Sequence, residues 1–482
     1  MDDKTNKQKI FFNGINGVTG QYLLEPMELK KAAKFAKNKG NDEFAENWVT
    51  SMGSTLTQSH LGPSFYLDQS DVGHVGWAIV FHQNETNVVK EALQPLIEHR
   101  RKAISDANKL KVLEYQSGED WSGWLARHGV SAGNVDPKKI PLYVLLIGSP
   151  ELIPFSFGHL LDVEYAVGRL HFDTAEEYAN YVQSVIDYES GTTVPNAREA
   201  VFFGTRHKFD EATQLSADHL VKPLVEGSDT SDNKPITEFE QFQSRELWGA
   251  GASKQALFDA FHAPANTKPP AFLFTASHGM GFPLGHPKQS DSQGALLCQD
   301  WPGLGQIGPE HYFAASDLTD EARVHGMIAF HFACYGAGTP AFDRFIYEPG
   351  ESPEPIAKEA FISALPKKLL SHSKGGALAV IGHVERAWGY SITGNTSGPQ
   401  LIPFQNTIGL LLQGKPIGLA VKDFNERFAA LSTNLSDLQD KINLTYRIPE
   451  STLVSTWLER NDAEGYVVLG DPAVRLRVKD LV

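Results

Sequence analysis

Cysteine is nearly absent from this chain, with Cys298 and Cys334 the two examples in 482 residues. A pair cannot build a multi-bridge disulfide framework, and it excludes structural zinc sites made of three or four thiolates. Long apolar runs are missing as well. No stretch approaches the ~18–20 residues that a membrane span needs, and the amino terminus, MDDKTNKQKIFFNG, has no apolar core of signal-peptide length. A cytoplasmic location without a membrane partner is expected. Basic residues are outnumbered, 43 against 58 acidic, for a formal charge of −15 with no basic block, which argues against nucleic acid and anionic lipid as partners. The 17 histidines contain no HExxH, and His325 and His331 lie six apart, outside usual ligand spacing. No metal and no other cofactor is predicted.

From residue 140 onward, short apolar runs rich in β-branched and aromatic residues alternate with helical stretches. IPLYVLLIG, EAVFFGT, PAFLFTAS, HGMIAFHFA, GALAVIGHV and GYVVLG read as buried strands, and segments such as EEYANYVQSVIDYE and GKPIGLAVKDFNERFAAL as the helices between them. Such alternation predicts an α/β fold, a mostly parallel sheet sandwiched by helices. Residues 1–135 read as an amino-terminal accessory or regulatory region, and 136–482 as the main domain, with possible sub-domains 136–195 and 196–482. The glycines of GINGVTG, residues 14–20, suggest a dinucleotide turn. Pro26 soon interrupts any helix, however, and no second strand follows promptly, so a structural loop is expected there.

Two predicted strands end in reactive residues. PAFLFTASHGMG delivers His278 followed by Gly279, and GMIAFHFACYGAG delivers Cys334 followed by Gly336 and Gly338. Open α/β sheets collect reactive groups at the carboxyl ends of neighbouring strands, and a thiol beside an imidazole is an activatable nucleophile. Acyl transfer also needs amide N–H groups aimed at a developing oxyanion. The amides of Gly279 and Cys334 are the natural donors, with Gly336 and Gly338 expected to turn the chain sharply after the nucleophile. Cys298, in GALLCQDW, lacks a His-Gly partner and reads as structural. His383, Glu385 and Trp388, in VIGHVERAWGY, end another strand and are candidates for the cleft wall.

SHGMG followed by FACYGAG resembles the His-Gly and Ala-Cys-x-Gly signatures of the caspase-like (clan CD) cysteine peptidases. YVLLIGSPELIPF, DVEYAVGRL and the IDYE helix resemble the gingipain-like group, and GALAVIGHV with VVLGDPAVRLRV resembles CHAT-type endings. The likeness runs from about residue 140 to 480. It implies a caspase-like fold and an intracellular cysteine endopeptidase working through a Cys334–His278 dyad. Its partners would be polypeptide substrates, with one specific protein encoded alongside it among them. The alternative is a catalytically silent scaffold that binds a protein partner. The chain reads Phe332-Ala333-Cys334-Tyr335-Gly336, without the glutamine of the caspase motif, so aspartate preference is not implied. By the same resemblance Asp162 and Glu164, just upstream of the GR strand, are candidates for binding a basic P1 residue. Self-cleavage is expected to be easiest in the glycine-rich start or in the loops 285–294 and 348–356.

Overall fold

The computed structural model describes residues 9–38, 66–227, 234–238, 240–303, 305–348, 350–387, 392 and 401–482. In chain order its strands are β1 (Lys9–Ile10), β2 (Ile15–Asn16), β3 (Met27–Glu28), β4 (Trp77–His82), β5 (Leu110–Tyr115), β6 (Tyr143–Ile147), β7 (Ala166–Leu170), β8 (Ala197–Gly204) and β9 (Gln243–Trp248). They continue as β10 (Pro270–Ala276), β11 (Met280–Gly281), β12 (Leu296–Leu297), β13 (Tyr312–Phe313), β14 (Ile328–Phe332), β15 (Gly338–Thr339), β16 (Phe361–Ile362), β17 (Ala379–His383) and β18 (Tyr466–Gly470).

Ten of these form one sheet in the order β5-β4-β6-β7-β18-β17-β14-β10-β8-β9. β5, β4, β6, β7 and β18 run one way, and β17, β14, β10, β8 and β9 the other. The two parallel blocks meet at the antiparallel pair β17–β18. The carboxyl ends of β8, β10, β14 and β17 therefore share an edge with the amino ends of β18 and β7. This is the α/β architecture, a mostly parallel sheet, expected from the alternating pattern.

β4, β6, β7, β10, β14 and β17 are buried along their whole length, which is why they read as continuous apolar runs rather than alternating ones. Phe330 and Phe332 are two apart on β14 and so share a face. Phe330 stacks on Phe404 of the helix Ile402–Leu412, and Phe332 meets the same ring edge-on. Arg100, on the helix Asn87–Ala103, donates to Asp471 at 2.8 Å and to Glu189 of the helix Ala175–Ser190 at 2.7 Å and 2.9 Å, fastening two helices to the segment after β18.

The expected boundary at residue 135 divides no structural unit. β4 and β5 precede it, yet β4 pairs with β6 through Trp77↔Tyr143 and its successors, inside the central sheet. The apolar WAIVFH run buries completely on both faces and can do so only in the sheet interior. β8 opens the second block just after residue 195, but β18 returns from the far end of the chain to the first block. Outside the sheet lies residues 9–38. There β1 pairs with β3, the helix Leu29–Ala36 follows, and β2 adds in parallel to β11. GINGVTG is thus a strand and turn, laid on the edge where β10 and β14 end.

Candidate active site

β10 and β14 run in parallel register through Ala276↔Phe332, and Ser277 N–H continues the ladder to the Phe332 carbonyl at 3.2 Å. The next residues, His278 and Cys334, consequently leave the sheet at the same level. A side chain at Gly279 would place its first carbon 1.8 Å from the Cys334 carbonyl oxygen, so only glycine allows the two main chains to touch here. Among the described residues, no hydrogen bond inside the chain uses the amide of Gly279 or of Cys334, leaving both available to an oxyanion.

The sharp turn after Cys334 falls at Tyr335 (φ 56°), with neither Gly336 nor Gly338 in the left-handed region. A bulky residue pays for that conformation and keeps it only when its surroundings hold it. Tyr335 N–H donates to the Glu385 carbonyl at 2.6 Å, and Ser363 Oγ to the Tyr335 carbonyl at 2.5 Å. Ala387 N–H in turn donates to Cys334 Sγ at 3.3 Å. The loop after β17 thereby fixes both the turn and the sulfur.

His278 is held from two sides. Gly14 N–H donates to Nδ1 at 2.8 Å, and Nε2 lies 2.7 Å from Asp210 Oδ2. The first bond requires Nδ1 to accept, so the hydrogen-bond pattern assigns the ring proton to Nε2, facing the carboxylate. Tyr22 and Trp301 stand edge-on to the imidazole, at 6.1 Å and 6.2 Å between centroids. Asp210 follows β8, the strand beside β10, and caps the helix Glu211–Ser216 by accepting from Thr213 N–H. Its other oxygen accepts from the Tyr22 hydroxyl at 2.8 Å. Burial alone would push this carboxyl up; the facing His278 outweighs it and holds Asp210 well below the usual carboxylate range.

Both reactive side chains are fully covered. A methyl group at Gly14 would lie 3.2 Å from Cys334 Sγ, so the amino-terminal segment contacts imidazole and thiol together. Burial pushes the Cys334 thiol up to about 12, against the Ala387 N–H and the Arg386 charge, which pull it down.

The remaining sequence candidates fall elsewhere. Asp162 and Glu164 do lie on the same sheet edge, but β7 is three strands from β14, about 14 Å at the ~4.8 Å spacing of strands. Asp162 accepts from Val167 N–H at 2.8 Å, and both carboxyls are pushed up to about 7 by burial, with Lys422 beside them. His383 turns its Nε2 to the Asp462 carbonyl at 3.0 Å, into the helix Glu450–Gly465 rather than the cleft. Glu385 contributes its main chain to the Tyr335 turn, while its carboxylate is buried 3.3 Å from Arg386. Trp388 lies outside the described residues. Cys298 is buried and its thiol is pushed far up by burial.

Asp210 escaped the sequence reading. The available signal was an Asp-x-x-Thr cap just past the strand EAVFFGT, whose neighbour carries His278. That signal becomes usable only once the order of β8 and β10 is known. Among the described residues no group of three metal-ligating side chains occurs and no helix is long and apolar enough to cross a membrane.

A thiol and a carboxylate-backed imidazole, leaving one sheet edge beside two unused amides, have the chemistry of a thiol acyl-transfer site. The chain belongs to peptidase family C25, whose sequence model matches residues 74–477, and it is a cysteine peptidase of the caspase-like clan. No curated protein matches it. Among solved structures it is similar to the complex of Porphyromonas gingivalis RgpB pro- and mature domains, at 12% identity over 84% of this chain and 80% of that one, TM-score 0.43. It is also similar to the Arg-specific cysteine proteinase gingipain R, at 12% identity over 84% and 79%, TM-score 0.41. A further similarity is to the Saccharomyces cerevisiae separase–securin complex, at 10% identity over 68% and 15%, TM-score 0.28.

Proposed function

We propose that the protein is an endopeptidase in which Cys334 is the nucleophile, His278 the general base and acid, and Asp210 the group that orients His278. The observation that carries this reading is the placement of His278 Nε2 on Asp210, with Nδ1 turned to Gly14, the residue that also lies against Cys334 Sγ. Cys334 gives its proton to Nδ1 and attacks the scissile carbonyl. The amides of Gly279 and Cys334 receive the oxyanion, and Nδ1 returns the proton to the leaving amine. Water then attacks the thioester with the same imidazole as base. Polypeptides are the substrates, and one specific protein partner would fit an enzyme whose site is held closed. The expected cytoplasmic location belongs to this proposal, supported by two cysteines that both stay free thiols; cell fractionation tests it.

A basic P1 preference would need a carboxylate in the S1 pocket, and Asp162 is already bonded to Val167. A panel of acyloxymethyl ketones with basic, acidic, amide and apolar P1 groups, read by intact mass, tests activity and preference together. Adducts on Cys334 that vanish in His278→Ala are expected. The burial of Cys334 favours a second reading, a silent scaffold that binds a partner, and no adduct with any probe is its expected outcome.

A further inference from the structure

Beyond the turn that follows Cys334, the chain walls off an apolar hollow that no step of the proposed mechanism uses. Its volume is about 420 Å³, and the larger part of its lining is proline and phenylalanine: Pro150, Pro154, Phe155, Pro340, Phe342 and Pro353. Proline fixes its own φ near about −65°, so these walls are set before anything binds. Arg344 also lines the hollow, but Glu464 takes it at 3.0 Å. A preformed apolar space of this size has the proportions of a ligand site.

The walls are tied to the reactive end of β14. β15 pairs with β16 through Gly338↔Ile362 and Thr339↔Phe361, and a side chain at Gly338 would place its first carbon 2.7 Å from the Phe155 ring. Ala337 N–H donates to the His383 carbonyl at 3.0 Å and Glu385 N–H to the Gly338 carbonyl at 3.1 Å, fixing this stretch to the end of β17. Farther on, Ile356 N–H donates to the Ala341 carbonyl and Asp343 N–H to the Glu354 carbonyl, both at 2.8 Å, so that residues 341–343 and 354–356 form an extended arm. Successive side chains of such an arm face opposite ways. Asp343 turns inward to Arg386, whose neighbour Ala387 donates to Cys334 Sγ. Phe342 consequently turns outward and stays 54% exposed. With Phe155 and the prolines it makes a contiguous apolar patch, and such patches mark interaction sites.

The mechanism fixes which part of a substrate comes here. His278 serves the leaving amine, so residues after the scissile bond run toward β10, and residues before it run to the other flank of Cys334, where β17 lies and where Gly338 bridges to Val384. Pro340 is six positions beyond Cys334, and six extended residues span at most about 22 Å. A substrate in extended form covers that reach with about as many residues of its own. Cys334 is not in the wall, which leaves out P1. We infer that the hollow is a specificity subsite for the acyl half of the substrate, taking one large aliphatic or aromatic side chain two to six positions before the scissile bond. The inference rests on the catalytic roles proposed above. Phe342, at once exposed and part of the wall, is the residue that sets the preference.

The test is the cut-site profile of the full-length protein on a denatured cell extract, read by mass spectrometry of the new amino termini. It is followed by kcat/KM for paired peptides built on the commonest site, with leucine or serine at the enriched position, for wild type, Phe342→Ser and Phe342→Leu. Expected for wild type are enrichment of large apolar residues at one upstream position and at least about a tenfold preference for the leucine peptide, the scale on which apolar pockets discriminate. The preference should shrink to about threefold or less in Phe342→Ser and survive in Phe342→Leu, while all three proteins cut the serine peptide at equal rates. Casein cleavage without upstream enrichment, or a preference that Phe342→Ser leaves unchanged, overturns the inference and leaves the peptidase reading standing. A shift of solution mass in Phe342→Ser with cleavage unaltered would make the hollow an interface between copies of the chain and overturns it equally. No cleavage of any substrate and no labelling of Cys334 by a peptidyl ketone would remove both readings at once.

Discussion

Asp210 Oδ2 lies 2.7 Å from His278 Nε2, with neither side chain exposed to solvent. The pair fixes the tautomer in which Nδ1 carries no proton and accepts from Gly14 N–H; Nδ1 is the nitrogen that takes the Cys334 proton in the proposed mechanism once the segment moves aside. Asp210→Asn keeps the shape and removes the carboxylate charge that faces Nε2. By analogy with other backed imidazoles, kcat/KM for a peptide substrate is expected to fall roughly 10²–10⁴-fold. Wild-type stability should also lose this pair's contribution as pH falls, because the folded carboxyl titrates well below the unfolded ~3.9. Equal rates for wild type and Asp210→Asn would show that Asp210 is only a helix cap.

Tyr22 ties the amino-terminal arm to the other oxygen of the same carboxylate at 2.8 Å. A hydrogen bond to a charged group contributes about 1.5–3 kcal/mol. Tyr22→Phe should therefore open the site more often and raise the rate of Cys334 alkylation by iodoacetamide about tenfold or more, measured by quenched mass spectrometry. An unchanged rate would mean that the arm is held elsewhere.

Gly279→Ala asks for a carbon 1.8 Å from the Cys334 carbonyl oxygen. The His278 and Cys334 segments must separate, and geometric loss of this size costs about 10²-fold or more in rate. Probe labelling of Cys334 should collapse while far-UV circular dichroism stays near wild type. Full labelling in this variant would refute the close crossing of the two main chains.

Asp471 has no exposed surface and takes Arg100 Nε at 2.8 Å and Trp77 Nε1 at 2.9 Å. Asp471→Ala leaves Arg100 buried with Glu189 as its remaining partner. Breaking such a pair costs about 3–5 kcal/mol, to be read as a lowered urea midpoint. A loss under about 1 kcal/mol would contradict the buried character of the network.

Glu385 is pushed up to about 8, chiefly by burial and further by Asp343, against the pull of the adjacent Arg386. A carboxyl raised above its unfolded ~4.3 contributes stability fully present below that value and lost as pH rises through the folded one. Between pH about 4.5 and about 8, urea midpoints should therefore fall for wild type and stay flatter for Glu385→Gln. Parallel curves for the two proteins would discard this assignment.

Much of this arrangement was legible in the sequence because buried parallel strands are continuous apolar runs and their ends are punctuated by Gly. That signal located β6, β10, β14 and β17 and, through them, His278 and Cys334. Three features were beyond it. The place of β4 and β5 depends on sheet order, which no local pattern encodes. Asp210 is separated from His278 by 68 positions and is joined to it only by the adjacency of β8 and β10. The glycines of GINGVTG carry no local signal beyond that of a loop, and are explained by what they approach. Asp162 and His383 show the converse: each lies near a strand end, yet one bonds to Val167 N–H and the other faces the Asp462 carbonyl, because proximity in sequence to a strand end says nothing about which way a side chain points.

β18 occupies the seam between the two oppositely directed blocks, pairing with β17 on one side and β7 on the other. It comes from residues 466–470, far along the sequence from β7 at 166–170. Without that one strand the two blocks would have no common seam, and β7 and β17 would each present an unpaired edge to the other. The continuity of the whole sheet therefore hangs on five residues, and a cut or deletion there would part the molecule into two half-sheets.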